Sequence, residues 1–285
     1  MPETMPGLIR AEHEGRYRWA AGAVRGKQVL DAGCGVGYGA AMLAEAGASR
    51  VVGLDIAAVA VQDAASRTSS VGEFVVGDLE RLPFAPCSFD VAVCFEVIEH
   101  VNRRELALDE LRRILRPEGV LIVSSPNRDV YPPGNPHHVH EYTPSELHGA
   151  LTKRFRHVTL YRQHQWISSL ITDDAGLGTR SSGVEIAASV RKVAGLAAGE
   201  EVYTLAVASD GPLPVMRGIA ILTDTFDLRW WHDKQRELEA LQSSVSWRVT
   251  APLRSAKRRS SSWRVSSSLR SAGRRLSKRS SPKFT

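Results

Sequence analysis

Two carboxylates and several histidines, in two short segments, are the residues best suited to chemistry. Glu96, Glu99 and His100 fall within five residues, and in a helical turn they would share one face. Burying them together would be costly without a shared cation or hydrogen-bond partner. Residues 137–143 add three more histidines. Carboxylate and imidazole ligands suit a divalent metal, with Mg²⁺, Mn²⁺, Fe²⁺ and Zn²⁺ all open, whereas a structural alternative has His100 packed and Glu99 solvated.

The same histidines are candidates for moving a proton. An imidazole titrates near neutral pH and can take a proton from a hydroxyl group. We expect His140 to be the general base, with His100 as the second catalytic candidate.

A glycine turn stands upstream of these segments. The apolar run before Asp31 is typical of a buried strand, and Gly33, Gly35 and Gly37 follow it before a helix-forming run. Glycines let a backbone come close to a nucleotide-like ligand, because they carry no Cβ. Here an acid precedes the glycines, at the place where a dinucleotide fold would hold an anionic pyrophosphate. This placement favours a ligand with a cationic or amino-acid portion.

Further acids follow at the predicted ends of the next strands. Asp55 ends an apolar run about 20 residues after the glycines, Asp78 ends a third, and Glu96 ends a fourth over residues 91–96. A fifth strand is predicted over residues 120–125. Because parallel strands end at one edge of a sheet, we expect these acids to line one crevice.

The segment Asp31-Ala32-Gly33-Cys34-Gly35-Val36-Gly37 resembles the first motif of class I S-adenosylmethionine (SAM) methyltransferases, and the later acids follow that family's order. The resemblance implies an α/β, Rossmann-like, seven-stranded and mostly parallel sheet with helices on both faces. Strands six (157–162) and seven (202–208) would form its antiparallel edge. It further implies SAM as cofactor, bound by Asp31, Gly33, Gly35, Gly37, Asp55, Ile56, Asp78, Leu79 and Glu96.

The Glu-x-x-Glu-His run resembles that of small-RNA 2′-O-methyltransferases and, more loosely, ubiquinone-pathway O-methyltransferases. The resemblance implies a divalent metal held by Glu96, Glu99, His100 and His138, gripping a vicinal diol. His137 and His140 stay alternatives to His138.

The charge distribution and the cysteine content limit the expected partners and cellular location of the protein. The net charge of +6 conceals a tail, residues 248–285, with 12 basic and no acidic residues; subtracting these from 37 leaves 25 basic against 31 acidic residues. A mildly acidic remainder is a poor surface for nucleic acid, so we expect no nucleic-acid substrate. Three cysteines without a CxxC pair, and no signal-like or membrane-spanning apolar segment, predict a cytoplasmic protein.

We expect a methyltransferase domain over residues 1–222, interrupted by an insertion or surface loop over 166–199. Its leading helix, residues 1–25, would cover the cofactor, with Tyr17 or Arg18 near the methionine carboxylate. A helix over residues 104–116 would end at Pro117. An amphipathic helix (223–243) and a basic Ser/Arg-rich repeat tail (244–285) follow. The tail would be flexible, or would dock on the inner membrane or a glycan assembly complex.

Oxygen is the expected methyl acceptor. The chain lacks the Asn-Pro-Pro-Tyr or Asp-Pro-Pro-Tyr run typical of enzymes that methylate amino groups of bases or glutamine. Residues 135–144, Gln163 and residues 246–254 resemble bacterial enzymes of surface-glycan assembly, which implies a sugar or glycan acceptor. Two alternatives stay open: a small-molecule O-methyltransferase for a quinone, polyketide or metabolite, and a non-catalytic scaffold with this fold.

Overall fold

A computed structural model of the chain describes residues 7–68, 72–132, 134–165 and 198–221, together with Arg236 and Ala240. The chain divides into two compact units, residues 1–225 and 226–285. The insertion over 166–197, most of the predicted helix over 223–243 and all of the tail lie outside the described residues.

Helices and strands alternate over most of the first unit. They are α1 (Gly7–Ala20), β1 (Gln28–Ala32), α2 (Tyr38–Glu45), β2 (Arg50–Asp55), α3 (Ala58–Thr68), β3 (Glu73–Val76), β4 (Phe89–Cys94), α4 (Arg104–Ile114), β5 (Leu115–Pro126), α5 (Pro144–Thr152), β6 (His157–Gln163) and β7 (Tyr203–Ser209). Short 3-10 turns follow α1 and β4, over Ala21–Ala23 and Ile98–His100.

The strands form one seven-stranded sheet in the order β3-β2-β1-β4-β5-β7-β6. The first five are parallel, and β7 runs antiparallel to both β5 and β6. Strand order reverses between β1 and β4, which opens a crevice at the carboxyl ends of these strands. The sequence prediction of a mostly parallel, Rossmann-like sheet is confirmed.

Successive side chains along each strand point to opposite faces of the sheet, so the core is divided into two clusters. In β1, Leu30 and Ala32 pack in one buried cluster with α4 and α5, whereas Val29 packs in the other with α1 and α2. Near-continuous apolar strands are needed because both faces of the sheet are covered. No helix among the described residues is long and apolar enough to cross a lipid bilayer.

Three predicted boundaries were wrong. β3 ends at Val76 and β4 at Cys94, so Asp78 and Glu96 lie beyond their strands. α4 ends at Ile114, and Pro117–Gly119 falls inside β5 instead of terminating a helix. The reason is that Leu115 is buried and pairs with Phe89, which draws the chain into the sheet; the pairing register then shifts before it resumes at Val91.

The N-terminal helix α1 is fitted closely against α2. A Cβ placed on Gly39, in α2, would lie 2.0 Å from the Tyr17 ring. Tyr17 therefore reaches its buried position only because residue 39 has no side chain.

We predict that Gly39→Ala lowers the free energy of unfolding by about 1–3 kcal/mol, because the added methyl group must displace Tyr17. Gly149→Ala, in α5, is the matched control: nothing lies within 4 Å of its Cβ position, so alanine should add up to about 1 kcal/mol through helix propensity. Urea unfolding of both variants measures the difference. Equal effects of the two substitutions would contradict the proposed close fit.

Candidate functional site

The glycine turn after β1 shapes one wall of the crevice. Gly33 and Gly35 have φ angles of 85° and 52°, in the left-handed region. A Cβ on Gly33 would lie 2.2 Å from the Val97 Cγ2 atom, whereas nothing lies within 4 Å of the Cβ position of Gly35. Gly33 thus allows close packing on the segment after β4, and Gly35 leaves room for a ligand.

Asp55 ties this turn to the end of β2. Its Oδ2 atom accepts a hydrogen bond from the Gly35 amide (2.8 Å), and Oδ1 accepts one from the Ala57 amide (2.9 Å). A carboxylate oxygen has two lone pairs, so each can still accept a bond from a ribose hydroxyl. The adjacent Ile56 is 71% exposed and presents an apolar surface at the same rim.

Asp78 and Leu79, also predicted to bind the cofactor, lie after β3. Asp78 is exposed and its Oδ1 atom accepts a hydrogen bond from the Glu80 amide (2.9 Å), in a turn closed by Arg81. Leu79 is buried and belongs to the core cluster on the α4 and α5 face. The turn therefore positions the Asp78 carboxylate at the rim while Leu79 anchors it.

Asp31 is the most deeply buried acid of the crevice. Its Oδ1 atom accepts a hydrogen bond from the Tyr17 hydroxyl (3.0 Å), whereas Oδ2 has no hydrogen-bond partner. Burial raises the pKa of Asp31 to about 7, although the bond from Tyr17 opposes the shift. An unsatisfied carboxylate oxygen in such a place is suited to a cationic group of a ligand.

Arg16 is a site residue that the sequence prediction missed. It is 1% exposed, its Nε atom donates to Gln163 Oε1 (2.8 Å), and its Cζ atom lies 4.3 Å from the centroid of the Tyr203 ring. Both Nη atoms are buried without a hydrogen-bond partner, and the nearest acid oxygen, Glu96 Oε1, is 3.7 Å from Nη2. This guanidinium group can therefore receive an anion.

The residues predicted to reach the methionine carboxylate are placed differently. Tyr17 points to Asp31, and the half-exposed Arg18 pairs with Glu14 on the surface (2.9 Å). The helical period could have indicated Arg16, because Glu12, Arg16 and Ala20 recur every four residues and all three are buried. Tyr203 donates a hydrogen bond to Glu12 Oε2 (3.0 Å), which joins this helix face to β7.

Glu96 lies apart from the other predicted metal ligands. Its φ angle is 55°, an uncommon value for a residue with a side chain. The Ser124 hydroxyl accepts a bond from its amide (3.0 Å) and donates one to its Oε1 atom (2.7 Å). The side chain is thereby directed to Arg16 and Ser124.

Glu99, His100 and His138 come together, with one ligand atom from each within 4.8 Å of the others. Glu99 is fully buried, and neither of its carboxylate oxygens has a hydrogen-bond partner. Burial, followed by the charge of Glu96, raises the pKa of Glu99 well above its usual range. The carboxyl group therefore holds a proton or requires a cation at neutral pH.

Hydrogen bonds orient both imidazole rings of this cluster. His100 Nδ1 is 2.9 Å from the His137 carbonyl oxygen, so it carries the proton and leaves a lone pair on Nε2. His138 Nδ1 lies 2.6 Å from Glu141 Oε1, and the Asn135 amide donates to His138 Nε2 (2.8 Å). A carboxylate behind a histidine is a common support for a metal ligand.

His140 is turned away from this cluster. Its amide donates to the Glu99 carbonyl oxygen (3.1 Å), but its ring packs on Tyr142, and its Nε2 atom lies 3.7 Å from Glu146 Oε2. Burial lowers the pKa of His140, and the charge of Arg104 lowers it further. The imidazole is thus neutral near pH 7 and able to accept a proton.

Comparison with known proteins agrees with this arrangement. Residues 30–123 match the methyltransferase domain family. A Mycolicibacterium smegmatis protein described as a probable S-adenosylmethionine-dependent methyltransferase is 40% identical over 154 residues, which cover 50% of this chain and 59% of that protein. The malonyl-[acyl-carrier protein] O-methyltransferase of Serratia marcescens is 36% identical over 100 residues, covering 35% of this chain and 38% of that one. The chain thus spans well under two thirds of either relative.

A solved structure supports the fold. The SAM-dependent methyltransferase of Thermotoga maritima superimposes with a TM-score of 0.52 and 19% identity, over 71% of this chain and 91% of that one. Residues 30–123 thus match a methyltransferase domain family, and the chain shares the fold of that solved structure.

Proposed function

We propose that this chain transfers a methyl group from SAM to an oxygen atom. The observation that carries the proposal is a pair of buried, unsatisfied groups of opposite charge at one rim of the sheet: Asp31 Oδ2 and the two Nη atoms of Arg16. Tyr38 lies near both groups: burial raises the pKa of its hydroxyl most, the charge of Asp31 raises it further, and the charge of Arg16 lowers it. An ammonium and a carboxylate on one molecule would satisfy both groups.

The amino-acid half of SAM has this pair of charges. Asp31 would receive the ammonium group and Arg16 the carboxylate, while Asp55 would hold the ribose hydroxyls. Ile56, Asp78 and the Leu79 amide would surround adenine. Gly33, Gly35 and Gly37 would shape the turn that runs along the cofactor, and Glu96 would border it beside Arg16.

SAM supplies a methyl group on a positively charged sulfur, ready for attack by a nucleophile. The protein must hold the acceptor oxygen in line with that carbon–sulfur bond and take up the hydroxyl proton as the new carbon–oxygen bond forms. His100 Nε2, whose lone pair is free of the hydrogen bond made by Nδ1, and the neutral His140 are the candidate bases.

We predict that Arg16→Gln weakens binding of S-adenosylhomocysteine at least about tenfold, because a charge-assisted contact is lost. It should leave binding of 5′-methylthioadenosine, which lacks the amino-acid portion, nearly unchanged. Isothermal titration of both ligands measures the difference. Arg18→Gln, which removes an exposed cation two residues away, is the control. Equal weakening of both ligands by Arg16→Gln would show that Arg16 only stabilises the fold.

The acceptor that we propose is a sugar hydroxyl in a cell-surface polysaccharide or its lipid-linked precursor. The glycan-enzyme resemblance of residues 135–144 and 246–254 supports this choice. In the first segment, His137 and His138 lie beside Glu99 and His100 at the rim. We propose that the basic tail brings the enzyme to an anionic inner membrane or an assembly complex.

A small-molecule acceptor is the second candidate. It is supported by the similarity to the malonyl-[acyl-carrier protein] O-methyltransferase and to a demethylmenaquinone methyltransferase of Renibacterium salmoninarum, 34% identical over 114 residues.

Incubation with methyl-labelled SAM should place label in a membrane glycan extract, and cells lacking the gene should lose one methyl group from their surface glycan by mass spectrometry. Label confined to small aromatic or acyl compounds would favour the second candidate. Failure of the chain to bind SAM in a titration would instead indicate a non-catalytic scaffold.

We further propose a divalent cation, Mg²⁺, Mn²⁺, Fe²⁺ or Zn²⁺, at Glu99, His100 and His138. The two unsatisfied oxygens of Glu99 and the lone pair on His100 Nε2 fit such an ion. His138 Nε2 accepts from Asn135, so it would have to lose that bond to bind the ion, while Glu141 supports its other nitrogen. Glu96, predicted as the fourth ligand, would have to leave Ser124 to join them. A bound ion would make a sugar hydroxyl more acidic.

Glu99→Gln should weaken binding of Mn²⁺ or Zn²⁺ at least about tenfold, since it removes the buried charge. Titration of metal-free protein measures the affinity, and Glu45→Gln, at an exposed acid of α2, is the control. Full methyl transfer in EDTA, with no metal bound by the unmodified chain, would overturn the metal proposal and leave a protonated Glu99.

A further inference from the structure

A cavity of about 320 Å³ lies beside the candidate site, between α4 and α5. Its lining includes Arg104, His140, Tyr142 and Lys153. None of the residues that would bind the cofactor lines it. Its volume is at the small end of the range found for small-molecule binding sites.

Two cations and two acids line this cavity, and they differ in whether they have ion-pair partners. Its two acids are engaged elsewhere: Glu105 pairs with Arg154 (2.9 Å) and Glu146 with Arg128 (2.8 Å). Among the described residues, neither Arg104 nor Lys153 forms an ion pair. The two lining cations therefore remain available to an anionic ligand.

A buried donor also faces the cavity without a partner. Tyr142 is 4% exposed; the Arg104 guanidinium can donate to its hydroxyl oxygen, but no acceptor in the described part of the chain is in place for the hydroxyl proton. Arg104 lies over its ring, with 6.0 Å between Cζ and the ring centroid. Leaving such a hydroxyl unsatisfied costs free energy, which a hydrogen-bonding ligand would recover.

One segment connects the cavity with the cluster of Glu99, His100 and His138. The amides of Val139 and His140 donate to the Glu99 carbonyl oxygen (2.8 and 3.1 Å), so residues 138–142 separate the two places by the thickness of one chain. The cavity and the cluster are therefore neighbours across one segment, the arrangement needed by an acceptor with two separated polar groups.

We propose that the cavity binds a phosphoryl group of the methyl acceptor. A guanidinium, an ammonium, a hydroxyl and an imidazole match the several oxygens and the double charge of a phosphate better than a single carboxylate. Resting on the proposed function, this identifies the acceptor as a phosphorylated sugar, methylated before its phosphate is lost.

The test is titration of the full chain with inorganic phosphate, glucose 1-phosphate and glucose. The unmodified protein should bind the first two, in competition with each other, and not glucose. The double variant Arg104→Gln/Lys153→Gln should bind both phosphates at least about tenfold more weakly, and Tyr142→Phe about threefold to tenfold. The control is Arg25→Gln/Lys27→Gln, which removes the same charge from an exposed turn.

Three results would overturn the proposal: no phosphate binding, equal weakening by both double variants, or binding of inorganic phosphate but not of the sugar phosphate. A parallel titration with S-adenosylhomocysteine separates this proposal from the proposed function. Retained cofactor binding without phosphate binding would refute the cavity site alone. Phosphate binding without cofactor binding would refute the methyl-transfer proposal alone.

Discussion

The placement of helix α1 over the carboxyl edge of the sheet is the constraint on which the site depends. The Tyr17 hydroxyl reaches the buried Asp31, and the absence of a side chain at Gly39 makes room for the ring. One residue earlier on the same helix, Arg16 is carried into the crevice and packs on Tyr203. A shift of α1 would therefore remove a hydrogen bond, a cation–π contact and the positive wall of the site together.

Unsatisfied buried groups distinguish this rim from the rest of the fold. Burying a charge without a partner is unfavourable, and most proteins avoid it. Here Arg16, Asp31, Glu99 and Tyr142 each retain a buried polar atom without a hydrogen-bond partner. Fold stability alone gives no reason for such groups at one edge of a sheet, whereas ligands of complementary charge do. The free-energy cost of leaving these groups unsatisfied in the free protein can then be recovered when a ligand binds to them.

The segment after β5 organises two distinct environments. His138, supported by Glu141, lies with Glu99 and His100, whereas His140, two residues later, lies with Tyr142 and Glu146. The difference arises because the chain bends at Val139, where two successive amides, those of Val139 and His140, donate to the Glu99 carbonyl oxygen. Neighbouring histidines thus lie in different surroundings, His138 in the proposed metal cluster and His140 in the lining of the proposed phosphate cavity.

The sequence by itself determined the sheet, the glycine turn and the acids at the strand ends, because these depend on local patterns: apolar alternation, the need for positive φ angles, and strand length. Spacing also indicated that Glu99 and His100 would share one face and meet the later histidines at one rim, whereas the family resemblance selected His138. The tertiary structure decided that Arg16, and not Tyr17 or Arg18, faces the crevice without a partner, that Glu96 turns to Ser124, and that His140 faces a separate cavity. These outcomes depend on how α1 and the segment after β5 pack against distant strands, and spacing along the chain carries no information about those contacts.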